Sequence, residues 1–173
     1  MFPHFAQVPT PILEKAGRIK LLITDCDGVL TDTGVYVGPE GELMKRFSIR
    51  DGMGVERLRE LVGVASGIMT GEQSQAVAQR AKKLQMPHLF LGAKNKGALL
   101  KTLLEQEQLS PEELAYIGDD TNDLKALSLA GLSCCPGDAM PMAAETSDYQ
   151  CLTPGGQGAF REVAELIIFA KQR

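Results

Sequence analysis

The feature that most constrains the fold is a regular alternation of short apolar runs with helical patterns from residue 19 to the C-terminus. The run at residues 19–24 contains β-branched residues and stops at the turn sequence Asp-Cys-Asp-Gly, which predicts a buried strand. Strands that alternate with helices at this spacing form βαβ units. We therefore predict an α/β fold, a doubly wound parallel sheet with helices on both faces.

Two segments stand apart from this alternation. Residues 1–18 hold three prolines and predict an N-terminal tail and a short helix, while residues 19–173 predict one domain. Within that domain, at about residues 32–50, Gly34, Gly38-Pro39 and Gly41 punctuate short β-type stretches. This pattern predicts a small β-hairpin insert that stands off the sheet.

The composition excludes several classes of protein. A chain of 173 residues with 44% apolar and 23% charged residues is typical of one globular domain. A net charge of -4 gives no broad basic face, so we expect no nucleic-acid partner. Without a membrane-length apolar run or a signal peptide, we expect a cytoplasmic protein with no membrane partner. The four cysteines lack zinc-type spacing and are expected to be reduced thiols.

Polar side chains collect where the predicted strands end. In parallel α/β sheets the carboxyl ends of the strands share the edge at which ligands bind. The side chains that we expect there are Asp25, Asp27, Thr70, Glu72, Asp119, Asp120 and Asp123, joined by Lys96 from the start of a helix. Carboxylates cannot crowd together in ionised form without a cation. A hard cation that takes oxygen ligands and also serves phosphate is Mg²⁺, which is therefore the expected cofactor.

This group of residues suits phosphoryl transfer. A carboxylate can act as a nucleophile and form an aspartyl phosphate, and Asp27 lies close enough to Asp25 to serve as general acid and then as base. The transferred group needs positive charge around its oxygens, which Mg²⁺, Lys96, the Thr70 hydroxyl and the backbone near Gly71 could supply. Lys94 is a nearby alternative to Lys96.

Four short motifs occur in the order found in the haloacid dehalogenase superfamily. They are Asp25-x-Asp27-Gly28-Val29, Thr70-Gly71, Lys96 and Gly118-Asp119-Asp120-x-x-Asp123. The resemblance implies a Rossmann-like core, with Asp25 as nucleophile and Asp27 as general acid and base. It also implies phosphate binding by Thr70, Gly71 and Lys96. The implied metal ligands are Asp25, Asp27 through its backbone carbonyl, and Asp119, with Asp120 and Asp123 in support.

A closer resemblance covers nearly the whole chain from residue 19. The hairpin, the segment at 47–52 and the glycine-rich segment at 155–162 resemble the 3-deoxy-D-manno-octulosonate 8-phosphate phosphatases, which have no cap domain. The resemblance implies a homotetramer in which a neighbouring subunit helps to close each active site, and a place in lipopolysaccharide biosynthesis. The substrate-binding residues that it implies are Ser48, Arg50, Asp51, Gly52, Glu72, Arg80 and Lys83.

Three positions depart from the family pattern. Glu56, Glu72 and Gln157 stand where the family commonly has arginine, the usual bidentate partner of a carboxylate. Thr-Gly-Glu followed eleven residues later by Lys83 is similar to relatives that act on nine-carbon keto acid 9-phosphates. The octulosonate 8-phosphate remains the first expectation, and 2-keto-3-deoxynononate or sialate 9-phosphate is the alternative.

The order and completeness of the motifs argue against two other functions. A phospho-accepting regulatory domain also combines a doubly wound sheet, Mg²⁺, an aspartate and a lysine. It carries its acidic pair before the accepting aspartate, whereas Asp25 comes first here. A catalytically silent subunit of a sugar-nucleotide synthase would not be expected to keep Asp25, Asp27, Lys96 and Asp119.

Overall fold

The structure, a computed structural model, describes residues 3–173. Its centre is a six-stranded sheet in which every neighbouring pair of strands is parallel. The strands are β1 (Leu21–Thr24), β4 (Ala65–Met69), β5 (His88–Phe90), β6 (Leu114–Ile117), β7 (Leu132–Cys135) and β8 (Tyr149–Gln150). Their spatial order is β5-β4-β1-β6-β7-β8, with the first strand in the interior of the sheet. The predicted parallel α/β fold is confirmed.

Helices cover both faces of this sheet. They are α1 (Thr10–Arg18), α2 (Ile49–Val62), α3 (Gln75–Lys83), α4 (Lys96–Glu107), α5 (Leu124–Leu127), α6 (Pro141–Thr146) and α7 (Ala159–Lys171). One apolar cluster joins α1, α2, α3 and α7 to one face, and a second joins α4, α5 and α6 to the other. Burial of apolar side chains on both faces explains why the interior strands read as continuous apolar runs.

The N-terminal segment packs on the same core as the sheet. The first two residues of the predicted tail lie outside the described residues. Beyond them, the Phe5 side chain is fully buried, with its ring 5.9 Å from that of Phe169 in α7. Helix α1 begins with a proline in its first turn and also packs against α7. Within the described chain, no helix is both long and apolar enough to cross a membrane.

The predicted hairpin is present between β1 and α2. Strands β2 (Val35–Gly38) and β3 (Gly41–Lys45) pair antiparallel in a sheet of their own. Most of their side chains are exposed, but Lys45, at the end of β3, is buried. The hairpin therefore stands off the sheet at its tip and returns to the body of the protein at its base.

The region after β6 differs from the sequence prediction. The sequence there, with Gly131 at its end, predicts a single helix running to about residue 130, but the structure has a 3₁₀ turn at Thr121–Asp123 followed by the short α5. Asp120 is extended and forms a capping box with Asp123, whose carboxylate accepts hydrogen bonds from the backbone at 119 and 120. This local bonding holds the loop at the sheet edge instead of letting the helix begin there.

Candidate active site

The predicted site residues meet at the carboxyl edge of the sheet. Strands β1, β4 and β6 end around a cavity of about 460 Å³. The predicted residues that line it are Asp25, Asp27, Thr70, Gly71, Glu72, Asp119 and Asp120. The cavity is also lined by Thr33, Val35, Glu42 and Lys45 from the hairpin region and by Asn122. The topology thus brings together residues that are nearly a hundred positions apart.

Lys96 forms the electrostatic centre of the site. Its buried ammonium lies 2.8 Å from Asp25 Oδ2 and 2.7 Å from Asp123 Oδ1. Lys94 is exposed and donates instead to the Gly71 carbonyl oxygen at 3.0 Å. Asn95 caps α4 by accepting from the backbone N–H of residue 98, which fixes where Lys96 begins the helix. The geometry therefore favours Lys96 over Lys94 as the cation beside Asp25.

Both carboxylate oxygens of Asp123 accept hydrogen bonds. Its Oδ1 accepts from Lys96 and from the Tyr116 hydroxyl at 2.6 Å, while its Oδ2 accepts from the Asp119 backbone N–H at 3.1 Å. The side chain is fully buried. A carboxylate already held by these donors orients the loop that carries Asp119.

The acidic group fits a divalent cation. Oxygens of Asp25, Asp119 and Asp123 lie within 4.8 Å of one another, with one ammonium, that of Lys96, against three carboxylates. Burial, followed by the charge of Asp123, raises the pKa of Asp25 to about 8. Burial, followed by the charges of Asp123 and Asp120, raises the pKa of Asp119 to about 7. This excess of negative charge on hard oxygen ligands matches Mg²⁺.

The turn after β4 offers hydrogen-bond donors to an anion. Thr70 is buried, and its Oγ1 accepts from the Glu72 backbone N–H at 3.2 Å. The hydroxyl therefore keeps its own proton for another acceptor. A Cβ added at Gly71 would meet no atom within 4 Å, so the backbone there is open to the cavity. Thr70 and Gly71 are thus placed to bind a phosphoryl group beside Asp25.

The predicted substrate-binding residues fall into three places. Glu72 lines the cavity together with Asp25, Asp27 and Asp119. Ser48 and Arg50 lie in a second depression, with Gln157 at its glycine-rich border. Lys83 is exposed in the last turn of α3. In the described part of the chain, no ion pair joins Lys83 to Glu72.

The remaining three predicted residues build the start of α2. Arg80 donates to the Ser48 carbonyl oxygen at 2.7 Å, and a Cβ added at Gly52 would lie 2.7 Å from the Arg80 guanidinium. Asp51 accepts from the Arg161 backbone N–H at 3.0 Å, and burial raises the pKa of Asp51 to about 6. These contacts make Arg80, Asp51 and Gly52 supports for the first turn of α2, which carries Arg50.

The sequence pattern does not predict two of the charged residues that line the cavity. Lys45 and Glu42 line the cavity, and the Lys45 ammonium is bonded to Asp27. In the sequence they are a charged pair three residues apart in the predicted hairpin, a pattern typical of solvated strands. Only the placement of the hairpin base against the loop that follows β1 reveals the contact.

Comparisons with known proteins agree with this geometry. The sequence model of the haloacid dehalogenase-like hydrolases matches residues 69–160. The 3-deoxy-D-manno-octulosonate 8-phosphate phosphatase of Salmonella typhi is 38% identical over 167 residues, which cover 96% of this chain and 88% of that protein.

Solved structures of phosphatases with that name superpose closely on this chain. The one from Moraxella catarrhalis, in complex with magnesium, phosphate and KDO, has a TM-score of 0.89 at 38% identity, over 93% of this chain and 92% of that one. The cobalt-bound enzyme of Haemophilus influenzae has a TM-score of 0.88 at 35% identity, over 91% of this chain and 92% of that one. With the carboxylates, Lys96 and Thr70 gathered at one sheet edge, these likenesses establish that the chain belongs to the haloacid dehalogenase-like hydrolases, in the family of the 3-deoxy-D-manno-octulosonate 8-phosphate phosphatases.

Proposed function

We propose that this chain is a Mg²⁺-dependent phosphatase that hydrolyses 3-deoxy-D-manno-octulosonate 8-phosphate to the free sugar acid and phosphate. The observation that carries the proposal is the Asp25 carboxylate, held by Lys96 at 2.8 Å in a cavity shared with Thr70, Asp27 and Asp119. Sequence identity to phosphatases of that name over nearly the whole chain supports the choice of substrate.

In the first step, an Asp25 oxygen forms a bond to phosphorus while the bond from phosphorus to the sugar oxygen breaks. Asp27 gives its proton to the departing sugar oxygen. The Thr70 hydroxyl, the Gly71 backbone and Lys96 bind the phosphoryl oxygens and stabilise their charge. The products of this step are the free sugar acid and an aspartyl phosphate on Asp25.

In the second step, Asp27 accepts a proton from water while the water oxygen forms a bond to phosphorus. The bond between phosphorus and the Asp25 oxygen breaks, which releases phosphate and restores the carboxylate. Asp27 thus begins and ends the cycle in the same protonation state.

The residues that would hold Mg²⁺ are the Asp25 and Asp119 carboxylates and the backbone carbonyl of Asp27, with Asp120 and Asp123 in support. When bound, Mg²⁺ supplies positive charge to the phosphoryl oxygens and offsets the carboxylates. The fit rests on the three clustered carboxylates and on the fact that, among the described residues, Lys96 alone forms ion pairs with them.

The sugar acid is proposed to extend from the cavity toward Ser48 and Arg50. The exposed Arg50 guanidinium is suited to a carboxylate. Asp51, Gly52 and Arg80 support the first turn of α2, which carries Arg50, and Lys83 contributes as an exposed cation in the last turn of α3. Glu72 lines the cavity itself, and this observation favours the alternative substrates, the nine-carbon keto acid 9-phosphates.

A homotetramer in the cytoplasm, acting in lipopolysaccharide biosynthesis, completes the proposal. The hairpin lines one side of the cavity through Val35, Glu42 and Lys45, and its apolar side chains Tyr36, Val37 and Leu43 are more than half exposed. Contact with hairpins of neighbouring subunits would cover these side chains and help to close the site.

The test is a comparison of kcat/KM with Mg²⁺ for octulosonate 8-phosphate against 2-keto-3-deoxynononate and sialate 9-phosphates. We expect the octulosonate to be preferred and Asp25→Asn to lower kcat by at least about 1,000-fold, since the nucleophile is lost. Preference for a nine-carbon acid, reversed by Glu72→Arg, would establish the alternative. Absence of phosphate release from all three esters would refute the phosphatase function.

A further inference from the structure

A connected set of polar side chains leads from the phosphate-binding turn to Asp27. Ser74 caps α3 by accepting from the Val77 backbone N–H at 3.3 Å, and its hydroxyl donates to Glu42 Oε1 at 2.5 Å. The other oxygen of Glu42 lies 3.5 Å from the Lys45 ammonium, which donates to Asp27 Oδ1. We call Ser74, Glu42 and Lys45 the hairpin clamp.

The central cation of the clamp is buried. Only 1% of the Lys45 side chain is exposed, although it belongs to a hairpin whose other side chains are mostly solvated. A buried ammonium is stable only when its donors are matched by acceptors in good geometry. Asp27 and Glu42 provide them, so Lys45 and Asp27 hold each other in fixed orientations.

The clamp occupies one oxygen of Asp27 and leaves the other free. Oδ1 is bonded to Lys45, and among the described residues nothing donates a hydrogen bond to Oδ2. The Asp27 side chain is 28% exposed and lines the cavity. The rotation of the carboxyl group is therefore set by Lys45, with Oδ2 available to a bound substrate.

We propose that Lys45 is a positioning residue for Asp27. By holding Oδ1, it directs Oδ2 to the leaving oxygen of the substrate, and Glu42 and Ser74 hold Lys45 in place. The inference rests on the proposed phosphatase function, because Asp27 needs this orientation only as the acid that protonates the leaving group.

This role predicts a dependence on the leaving group. An alkoxide that leaves from a sugar needs the proton of Asp27, whereas a nitrophenolate is stable enough to leave without it. The value of kcat/KM reports the steps up to the first irreversible one, in which the leaving group departs. A clamp that only anchored the hairpin would lower kcat/KM for both kinds of ester by the same factor.

The experiment compares kcat/KM for octulosonate 8-phosphate and p-nitrophenyl phosphate in wild-type protein, Lys45→Met and Lys45→Arg. For Lys45→Met we expect a loss of about 100-fold with the sugar phosphate and of no more than about threefold with the aryl phosphate. Lys45→Arg keeps a cation on Oδ1, so we expect its kcat/KM for the sugar phosphate to be about tenfold higher than that of Lys45→Met.

A double-mutant cycle separates positioning from anchoring. If Lys45 acts through Asp27, Asp27→Asn with Lys45→Met will be no slower on the sugar phosphate than Asp27→Asn alone. Two outcomes would overturn the inference. One is a double variant whose loss in kcat/KM is the product of the two single losses, and the other is a Lys45→Met variant with equal losses on the two esters. If thermal unfolding shows that Lys45→Met does not fold, Glu42→Gln replaces it in the same comparison of kcat/KM for the two esters. We then expect a smaller loss that is still selective for the sugar phosphate.

The two proposals fail in different ways. A wild-type protein that hydrolyses neither ester would remove the proposed function and the role of Lys45 with it. An active wild-type protein whose Lys45 and Glu42 variants are not selective would remove the role of Lys45 alone.

Discussion

At the scale of single residues, the metal site depends on a close approach between two loops. Gly28 follows Asp27 with a φ of 86°, in the left-handed region. A Cβ at this position would lie 2.0 Å from Asp119 Oδ2, so the Asp119 carboxylate rests against bare backbone. Any side chain at 28 would have to push that carboxylate away from Asp25.

We therefore expect Gly28→Ala to weaken Mg²⁺ binding by at least about tenfold, because Asp119 loses its place beside Asp25. Isothermal titration with Mg²⁺ measures this directly. Gly41→Ala is the matched control, since Gly41 also has a positive φ of 112° but its added Cβ would meet no atom within 4 Å. Equal affinities in the two variants would show that the contact with Asp119 does not matter.

The residues of the site differ in how far the sequence reveals them. Asp25, Thr70 and Asp119 follow apolar strands of one parallel sheet, so their convergence could be predicted from order alone. Lys45 and Tyr116 could not be predicted in this way. Their contacts depend on how the hairpin and β6 orient individual side chains, which neither spacing nor composition encodes.

At the scale of elements, one buried carboxylate fixes the start of the last helix. Glu162 in α7 is fully buried and accepts from the Tyr149 hydroxyl at 2.7 Å and from the backbone of Leu152 and Thr153 at 3.0 Å each. Burial acts to raise the pKa of Glu162, but the hydrogen bonds from Thr153, Leu152 and Tyr149 outweigh it and lower that pKa. The carboxylate thus ties β8 and the following loop to α7.

We expect Glu162→Gln to lower the free energy of unfolding at pH 7 by about 1–3 kcal/mol, since buried donors lose a charged acceptor. Because the pKa is lowered by folding, this stabilisation is present above the unfolded pKa near 4.5 and is lost as the pH falls through the folded value. The difference from wild type should therefore shrink in the acid range. Urea unfolding from pH 7 down to about pH 3, which passes below the unfolded pKa, measures it, with the exposed Glu56→Gln as control. If the difference in free energy of unfolding between wild type and Glu162→Gln stays constant across this pH range, the ionised Glu162 carboxylate does not have this stabilising role.

The bounds of the elements were mostly predictable because capping residues mark them. Ser48, Ser74 and Asn95 each cap the helix that follows, and the amphipathic pattern near the end of the chain predicts the bounds Ala159–Lys171 that α7 has. The helix after β6 was the exception. There the side chains of Asp120 and Asp123 bond to the loop backbone, and this local competition shortens α5.

At the scale of the whole molecule, the hairpin carries an unusual surface. Val37 is 72% exposed, Leu43 is 64% exposed, and Tyr36 and Met44 lie beside them on the same two strands. A two-stranded sheet with exposed apolar side chains is marginal by itself in water. The same hairpin borders the catalytic cavity through Val35 and Lys45. Assembly through the hairpins would therefore stabilise them and reduce access of water to the site.

We expect Val37→Asp to shift the proposed tetramer to smaller species, because a carboxylate cannot be buried unpaired between hairpins. Sedimentation velocity measures the shift, and Leu61→Asp, on α2 and 47% exposed, is the matched control that should leave the assembly unchanged. If assembly completes the site, kcat/KM for the sugar phosphate should fall with dissociation and recover at higher protein concentration. A Val37→Asp variant that assembles like wild type would place the subunit contacts on another surface. One that dissociates but keeps full kcat/KM would show instead that each chain closes its own site.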